Sequence, residues 1–310
     1  MTTRTDVVTA EPEVTGRRRR PRLSEGARAE RRLGWLLCAP AVIVMLAVAA
    51  FPIIYAVWLS LQRYDLRFPQ QAKFIGLSNY AAVLSASSPW WHALWVTLII
   101  TVVSVAVEFV LGMLLAVLMY RTIFTRGTVR TIILIPYGIV TVAAAYGWQY
   151  AWTPNTGYLS ALFNNSAPLT KTGTALAVII LAEIWKTTPF MALLLMAGLS
   201  LVPEDVLQAA RVDGATAWQR FSRVTLPLMK PAILVALLFR SLDAFRVFDN
   251  IYILTAGGNG TYSVSILGYD NLFRALNLGI GSAISILIFI CVAIIAFIFI
   301  RLFGAAAPGS

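Results

Sequence analysis

Charge is what this chain has least of. Only 13% of its 310 residues are Asp, Glu, Lys or Arg, about half the share of an average soluble domain. Hydrophobic types make up 59% and mean hydropathy is +0.76. That excludes an ordinary water-soluble globule and predicts a polytopic membrane protein with a single domain. The two cysteines, Cys38 and Cys291, lie far apart in apolar segments; they read as small packing residues and give no disulfide framework. His92 is the only histidine, and with no second imidazole or thiol beside it no metal site is expected. A G-x-x-x-x-G-K-[ST] phosphate loop is absent, so this chain has no conventional cradle for ATP. No nucleophile stands beside a recognisable base, which leaves an enzyme reading little to rest on.

The charge that is present is mostly positive, +11 overall. Residues 1–33 carry Arg17 to Arg20, Arg22, Arg28, Arg31 and Arg32 without any apolar pattern. They are predicted to form a disordered basic tail lying against anionic lipid, with nucleic-acid binding a poor second. The apolar run from Leu33 to Leu61 far exceeds the roughly 7–15 residues of a signal-peptide core. It is the first of six predicted spans, near 34–62, 93–120, 129–152, 174–201, 231–254 and 279–303, each long enough for the roughly 20 residues a bilayer needs. Lys and Arg crowd into the tail, the 121–130 and 202–230 loops and the C-terminal end. The other loops hold only Arg63, Arg67, Lys73, Lys171 and Arg274. By the positive-inside rule both termini, residues 304–310 included, and the 202–230 loop are expected in the cytoplasm, and the chain in the cell membrane. Trp90, Trp91 and Trp152 in the outer loops are expected to form an interfacial belt.

One polar interval keeps helical patterning. In Glu204 to Pro231, Val206, Ala209, Ala210 and Asp213 recur at spacings of three and four, so they share one face of a short helix. Glu204 and Asp205 suit its positive end, and Asp213-Gly214 stops it. A second run from Ala217 to Arg223 is expected to end at Leu226-Pro227. Spacing alone leaves open whether this is an ordinary loop or a knob whose small residues let another protein approach closely.

Gln208-Ala209-Ala210, Asp213-Gly214-Ala215, Phe221 and Leu226-Pro227-x-x-x-Pro231 resemble the EAA loop of ABC importer permeases, with Gln208 where that family usually has Glu. The resemblance implies a six-helix, all-α permease of type I importer architecture. It also implies that Glu204, Gln208, Ala209, Ala210, Asp213 and Gly214 couple to a separate cytoplasmic ATPase, present in two copies, which binds ATP and Mg. A second permease subunit and an extracytoplasmic sugar-binding protein are implied as further partners.

Away from the span ends lie the ionisable residues Glu108, Glu183, Lys186, Arg240, Asp243 and Arg246, with Asp249 near an end. Each is costly in hydrocarbon unless it faces the bundle interior or is paired. Pairing within a helix, Glu183 with Lys186 and Asp243 with Arg246, is one reading. A polar cavity, with Tyr137, Trp185, Phe190 and Phe245 available for a sugar face, is the other. Pro189 is expected to break the fourth span. Local patterns similar to the maltose-permease type imply substrate contacts at Tyr137 and Thr141 on the third span and at Glu183, Lys186, Thr187 and Phe190 on the fourth. On the fifth they imply Arg240, Asp243, Ala244 and Val247. Glu108 lies outside those patterns and is given a structural role. The stretches ILIPYGIVTV, EIWKTTPFM, LVPEDVLQAARVDGA and LDAFRVFDNIY are similar to the actinobacterial trehalose importers of the family, and a disaccharide, trehalose, is the substrate this implies. An ion-coupled secondary transporter, or a membrane glycosyltransferase using Glu183 and Asp243 as acid and base, remains open as the alternative; neither accounts for the EAA-like interval.

Overall fold

The computed structural model describes residues 25–121, 126–164 and 166–304, and it separates into two units, Met1–Ile53 and Ile54–Ser310. The first unit is helical from α1, Glu25–Met45, through a π-helical turn, Leu46–Ala50. The expected tail is therefore corrected at its end, because residues 25–33 are helix. The run Glu-Gly-Ala-Arg-Ala-Glu-Arg-Arg is rich in helix formers, and lengthening an existing helix needs no new nucleus. The rest of that tail, with Arg17 to Arg20, and residues 305–310 lie outside the described residues. Next come α2, Phe51–Ser60, and a small antiparallel hairpin, β1 Gln62–Arg63 with β2 Lys73–Phe74.

Membrane-length helices make up most of the second unit. After α3, Ser78–Val83, runs α4, Trp90–Arg121. Then come α5, Arg126–Gly138, α6, Thr141–Ala151, α7, Tyr158–Leu162, and α8, Thr172–Ser200. The chain continues through α9, Glu204–Val212, and α10, Ala217–Arg220. A π-helical turn, Phe221–Thr225, leads into α11, Leu226–Leu228, and α12, Lys230–Ala244. The last elements are α13, Asp249–Thr255, α14, Val264–Tyr269, and α15, Leu278–Gly304.

Among the described residues four helices are long and apolar enough to cross a membrane alone: Arg32–Ser60, Trp90–Tyr120, Thr172–Ser200 and Leu278–Leu302. Two bent pairs raise the number to six if each counts as one span. In one of them α5 and α6 meet at 85°, so the span predicted over 129–152 is broken at Ile139 and Val140. In the other, Ala217–Leu228 meets Lys230–Ala244 at 69°. The span predicted over 231–254 is likewise interrupted between Ala244 and Asp249. The run expected to stop at Leu226-Pro227 instead continues to Leu228. Its π-helical turn, closed by Leu226 N–H donating to Phe221 O, shifts the bonding register just before Pro227, which has no N–H to place.

In a bilayer, helices gain little by hiding apolar surface from one another and instead associate through close packing of small residues. The α4–α8 pair does this. A Cβ on Gly112 would come within 2.7 Å of Met191 Cγ, and Ala116 one turn on is fully buried. Met113, Ala116, Met191, Leu195, Leu199, Met229 and Ala236 form one core along α4, α8 and α12. A second joins Val96, Ile100, Ile179, Ala182, Ile251 and Ile266. Trp90 is buried in a third with Val83, Phe245, Leu267 and Ile284, so it is core and no part of an interfacial belt. Pro189 does not break α8, which runs unbroken from Thr172 to Ser200.

Candidate functional site

Glu183, Lys186 and Thr187 stand at helical spacings of three and four, so α8 offers all three on one face. The two helix breaks supply the rest. The α5–α6 corner contributes Tyr137, Ile139, Val140 and Thr141, and the end of α12 with the start of α13 contributes Asp243, Arg246, Val247, Phe248, Asp249 and Asn250. Together they enclose a cavity of about 730 Å³, within the range of small-molecule sites. Irregular backbone at this depth is tolerated because it borders a cavity.

An ionic cluster underlies the cavity. Arg240 on α12 is 0% exposed. Its Nε donates to Glu108 Oε2 of α4 at 2.5 Å and its Nη2 to Glu108 Oε1 at 3.0 Å. Nη2 also donates to Glu183 Oε1 at 2.8 Å, and Nη1 to Asp243 Oδ2 at 2.6 Å. Thr187 Oγ1 donates to Glu108 Oε1 at 2.9 Å, and Asn250 Nδ2 to Glu183 Oε2 at 2.5 Å. One guanidinium thus holds three carboxylates from three helices, and Thr187 and Asn250 add donors to the two glutamates. The two pairs read from spacing, Glu183 with Lys186 and Asp243 with Arg246, do not form; within α12 it is Arg240 that pairs with Asp243. Lys186 Nζ donates to Ile139 O at 2.6 Å, and Arg246 Nε to Leu242 O at 3.2 Å.

Seven of the expected substrate contacts border the cavity: Tyr137, Thr141, Glu183, Lys186, Thr187, Asp243 and Val247. Three do not reach it. Phe190 stacks on Tyr137 with ring centroids 5.4 Å apart, Arg240 is enclosed by its carboxylates, and Ala244 is fully buried in the core. Ile139, Val140, Phe248 and Asn250 were missed. Only Asn250 left a trace in the sequence, as a lone amide before the apolar Ile251-Tyr252-Ile253-Leu254.

At the other end, α9 has no buried residue. Gly214 closes it at φ +78°, with Ala215 N–H donating to Ala210 O at 3.0 Å. Thr216 and Gln219 then form a capping box that starts α10. Glu204, Gln208, Ala209, Asp213 and Gly214 are all exposed and Ala210 half-buried. Val212 and Trp218 stand out at 88% and 72% exposed. Beneath the elbow lies a cleft of about 240 Å³ bordered by Tyr120, Glu204, Gln208, Arg211, Arg220 and Phe221. Away from the spans, Arg67 hydrogen-bonds Asp65 and holds its carboxyl down at about 2. Burial, then the Asp270 carboxylate that accepts its hydroxyl at 2.7 Å, pushes the Tyr262 phenol well up.

Residues 78–307 match the family described as binding-protein-dependent transport system inner membrane component. The trehalose transport system permease protein SugA of Mycobacterium tuberculosis is 64% identical over 282 residues, covering 91% of this chain and 92% of that protein. The trehalose/maltose transport system permease protein MalF of Thermococcus litoralis is 39% identical over 279 residues, covering 88% and 94%. Among solved structures, a chain of a bacterial ABC transporter involved in the import of the acidic polysaccharide alginate superposes with a TM-score of 0.78. That likeness covers 91% of this chain and 100% of the other at 23% identity, and it speaks to the fold.

Proposed function

The chain belongs to the family of binding-protein-dependent transport system inner membrane components, and from that premise we propose that it carries trehalose into the cell by alternating access. It is an all-α polytopic membrane protein and the permease subunit of a sugar ABC importer. The proposal extends to its partners: a second permease subunit, two copies of a cytoplasmic ATPase that holds ATP and Mg, and a sugar-loaded binding protein outside. Both termini and the α9–α10 elbow would then lie in the cytoplasm.

The observation that carries this reading is that the elbow is continuous with two of the helices that wall the cavity, α8 and α12. Leu201 to Pro203 link α8, which bears Glu183, to α9, while Met229 links α11 to α12, which bears Asp243. A force on the exposed alanine–glycine face therefore reaches α8 and α12 through short connections. ATP binding closes the motor, the elbow moves, and the cavity opens to the opposite side. For such a pump, nucleotide must favour one state by about 5.5 kcal/mol to shift it from 1:99 to 99:1. The cavity supports a neutral polyol as cargo. Asp243, Asn250, Thr141 and Thr187 offer donors and acceptors for hydroxyls, and Tyr137 and Phe248 offer flat apolar rings.

Reconstitution of the complex in proteoliposomes with labelled trehalose tests this. Uptake should require internal ATP and the binding protein and persist when ion gradients are collapsed. Uptake that follows a proton or sodium gradient without ATP hydrolysis would overturn it.

A further inference from the structure

Lys186 borders the cavity, yet its amine is already engaged. The residue is 7% exposed, and Nζ donates to the carbonyl oxygen of Ile139 at 2.6 Å. Ile139 lies in the gap between α5 and α6, where the axis turns by 85°. Past the gap the helical ladder restarts with Ala144 N–H donating to Val140 O at 3.0 Å, which leaves the Ile139 carbonyl outside it. A carbonyl freed at membrane depth needs a donor, since water is scarce there.

The same stretch of α8 grips both arms of the corner. Phe190 stacks on Tyr137 of α5 at 5.4 Å and 14° between ring planes. Trp185 meets Trp148 of α6 edge-on at 6.0 Å and 65°. From the far side, Gln149 Nε2 donates to Ile253 O of α13 at 2.7 Å. Residues 185, 186 and 190 therefore hold one arm, the corner and the other arm, and the only polar grip among them falls on the corner.

We propose that Lys186 is a positioning residue: it pins the corner of the broken helix, and so fixes where Ile139, Val140 and Thr141 stand around the sugar, without being a sugar ligand itself. A compact amine on a four-carbon stem suits this, because it reaches a single oxygen without needing a planar partner. The kinetic consequence rests on the transport reading above; the structural consequence does not.

Two measurements separate the roles. In the assembled transporter, with Cys38 and Cys291 replaced by alanine, Val140→Cys is labelled by a small thiol reagent without sugar or nucleotide. Lys186→Met should change that rate by roughly fivefold or more, the scale of one lost hydrogen bond. Lys186→Arg, which keeps a cationic donor, should stay near the parent. In uptake assays Lys186→Met should raise KM for trehalose more than it lowers kcat, with Lys186→Arg restoring part of the loss. Unchanged labelling in Lys186→Met overturns the proposal, and lost uptake alongside it makes Lys186 a direct sugar contact. If Lys186→Met fails to reach the membrane, Lys186→Arg decides, and labelling far from the parent rate overturns it. A wild-type complex that carries no trehalose refutes the transport reading and leaves the labelling result standing.

Discussion

Arg240 has no exposed surface and three acidic neighbours, drawn from α4, α8 and its own helix. Removing one member of such a cluster strands the others, which costs about 3–5 kcal/mol, whereas replacing charges together is far milder. Arg240→Met should therefore lower the thermal unfolding midpoint of the purified complex sharply, and adding Glu108→Met should recover much of it. Asp243 differs in kind, since 64% of its side chain is open to the cavity. Loss of one charged hydrogen bond to sugar is worth about 1.5–3 kcal/mol, so Asp243→Asn should raise KM for trehalose by about ten-fold or more. Unchanged uptake in both Asp243→Asn and Glu183→Gln would confine these carboxylates to holding Arg240. The charges themselves were plain in the sequence, but their partners were not. Spacing offered Glu183–Lys186 and Asp243–Arg246, while the fold brought Glu108 across 132 positions to Arg240, and no local pattern encodes such a meeting.

Elements were legible where a polar signal interrupted the apolar background. The α9–α10 elbow is of this kind: acidic residues in the first turn, small residues on one face, and a glycine at the end all acted as read. At φ +78° Gly214 occupies a left-handed conformation that costs other residues roughly 1 kcal/mol or more. Gly214→Ala should therefore weaken trehalose uptake, and Gly214→Trp should abolish uptake and sugar-stimulated ATP hydrolysis while the permease still reaches the membrane. Full transport by Gly214→Trp would remove the elbow from the coupling path. Packing within the bundle answers to volume instead: Gly112→Val, crowding Met191 across the α4–α8 seam, should cost about 1–3 kcal/mol by overpacking, visible in the unfolding midpoint. The helix breaks were harder to read. Pro136 and Gly138 stand just before the first one, so a trace existed. The second falls in Phe245-Arg246-Val247-Phe248, which holds neither glycine nor proline; Phe245 packs in one core and Val247 with Ile251 in another, contacts that no local pattern announces.

For the whole molecule, apolar runs and the distribution of arginine gave an all-α membrane protein of six spans; four described helices are long enough alone, and the count reaches six only if each bent pair is one span, the second of them over Ala217–Ala244 rather than 231–254. An exposed apolar pair on the elbow, Val212 and Trp218, is expected to be covered in the working assembly. Affinity capture of the tagged permease from its native membrane should recover an ABC ATPase, and Trp218→Asp should reduce the yield severalfold without reducing permease levels. Recovery of no ATPase from the wild type would count against the proposed assembly.

The knot around Arg240 also constrains ancestry. Because its members lean on one another across three helices, drift at any single one is penalised while joint exchange is tolerated. Among related permeases, the counterparts of residues 108, 183 and 240 should change in concert, charged together or neutral together, with intermediates scarce.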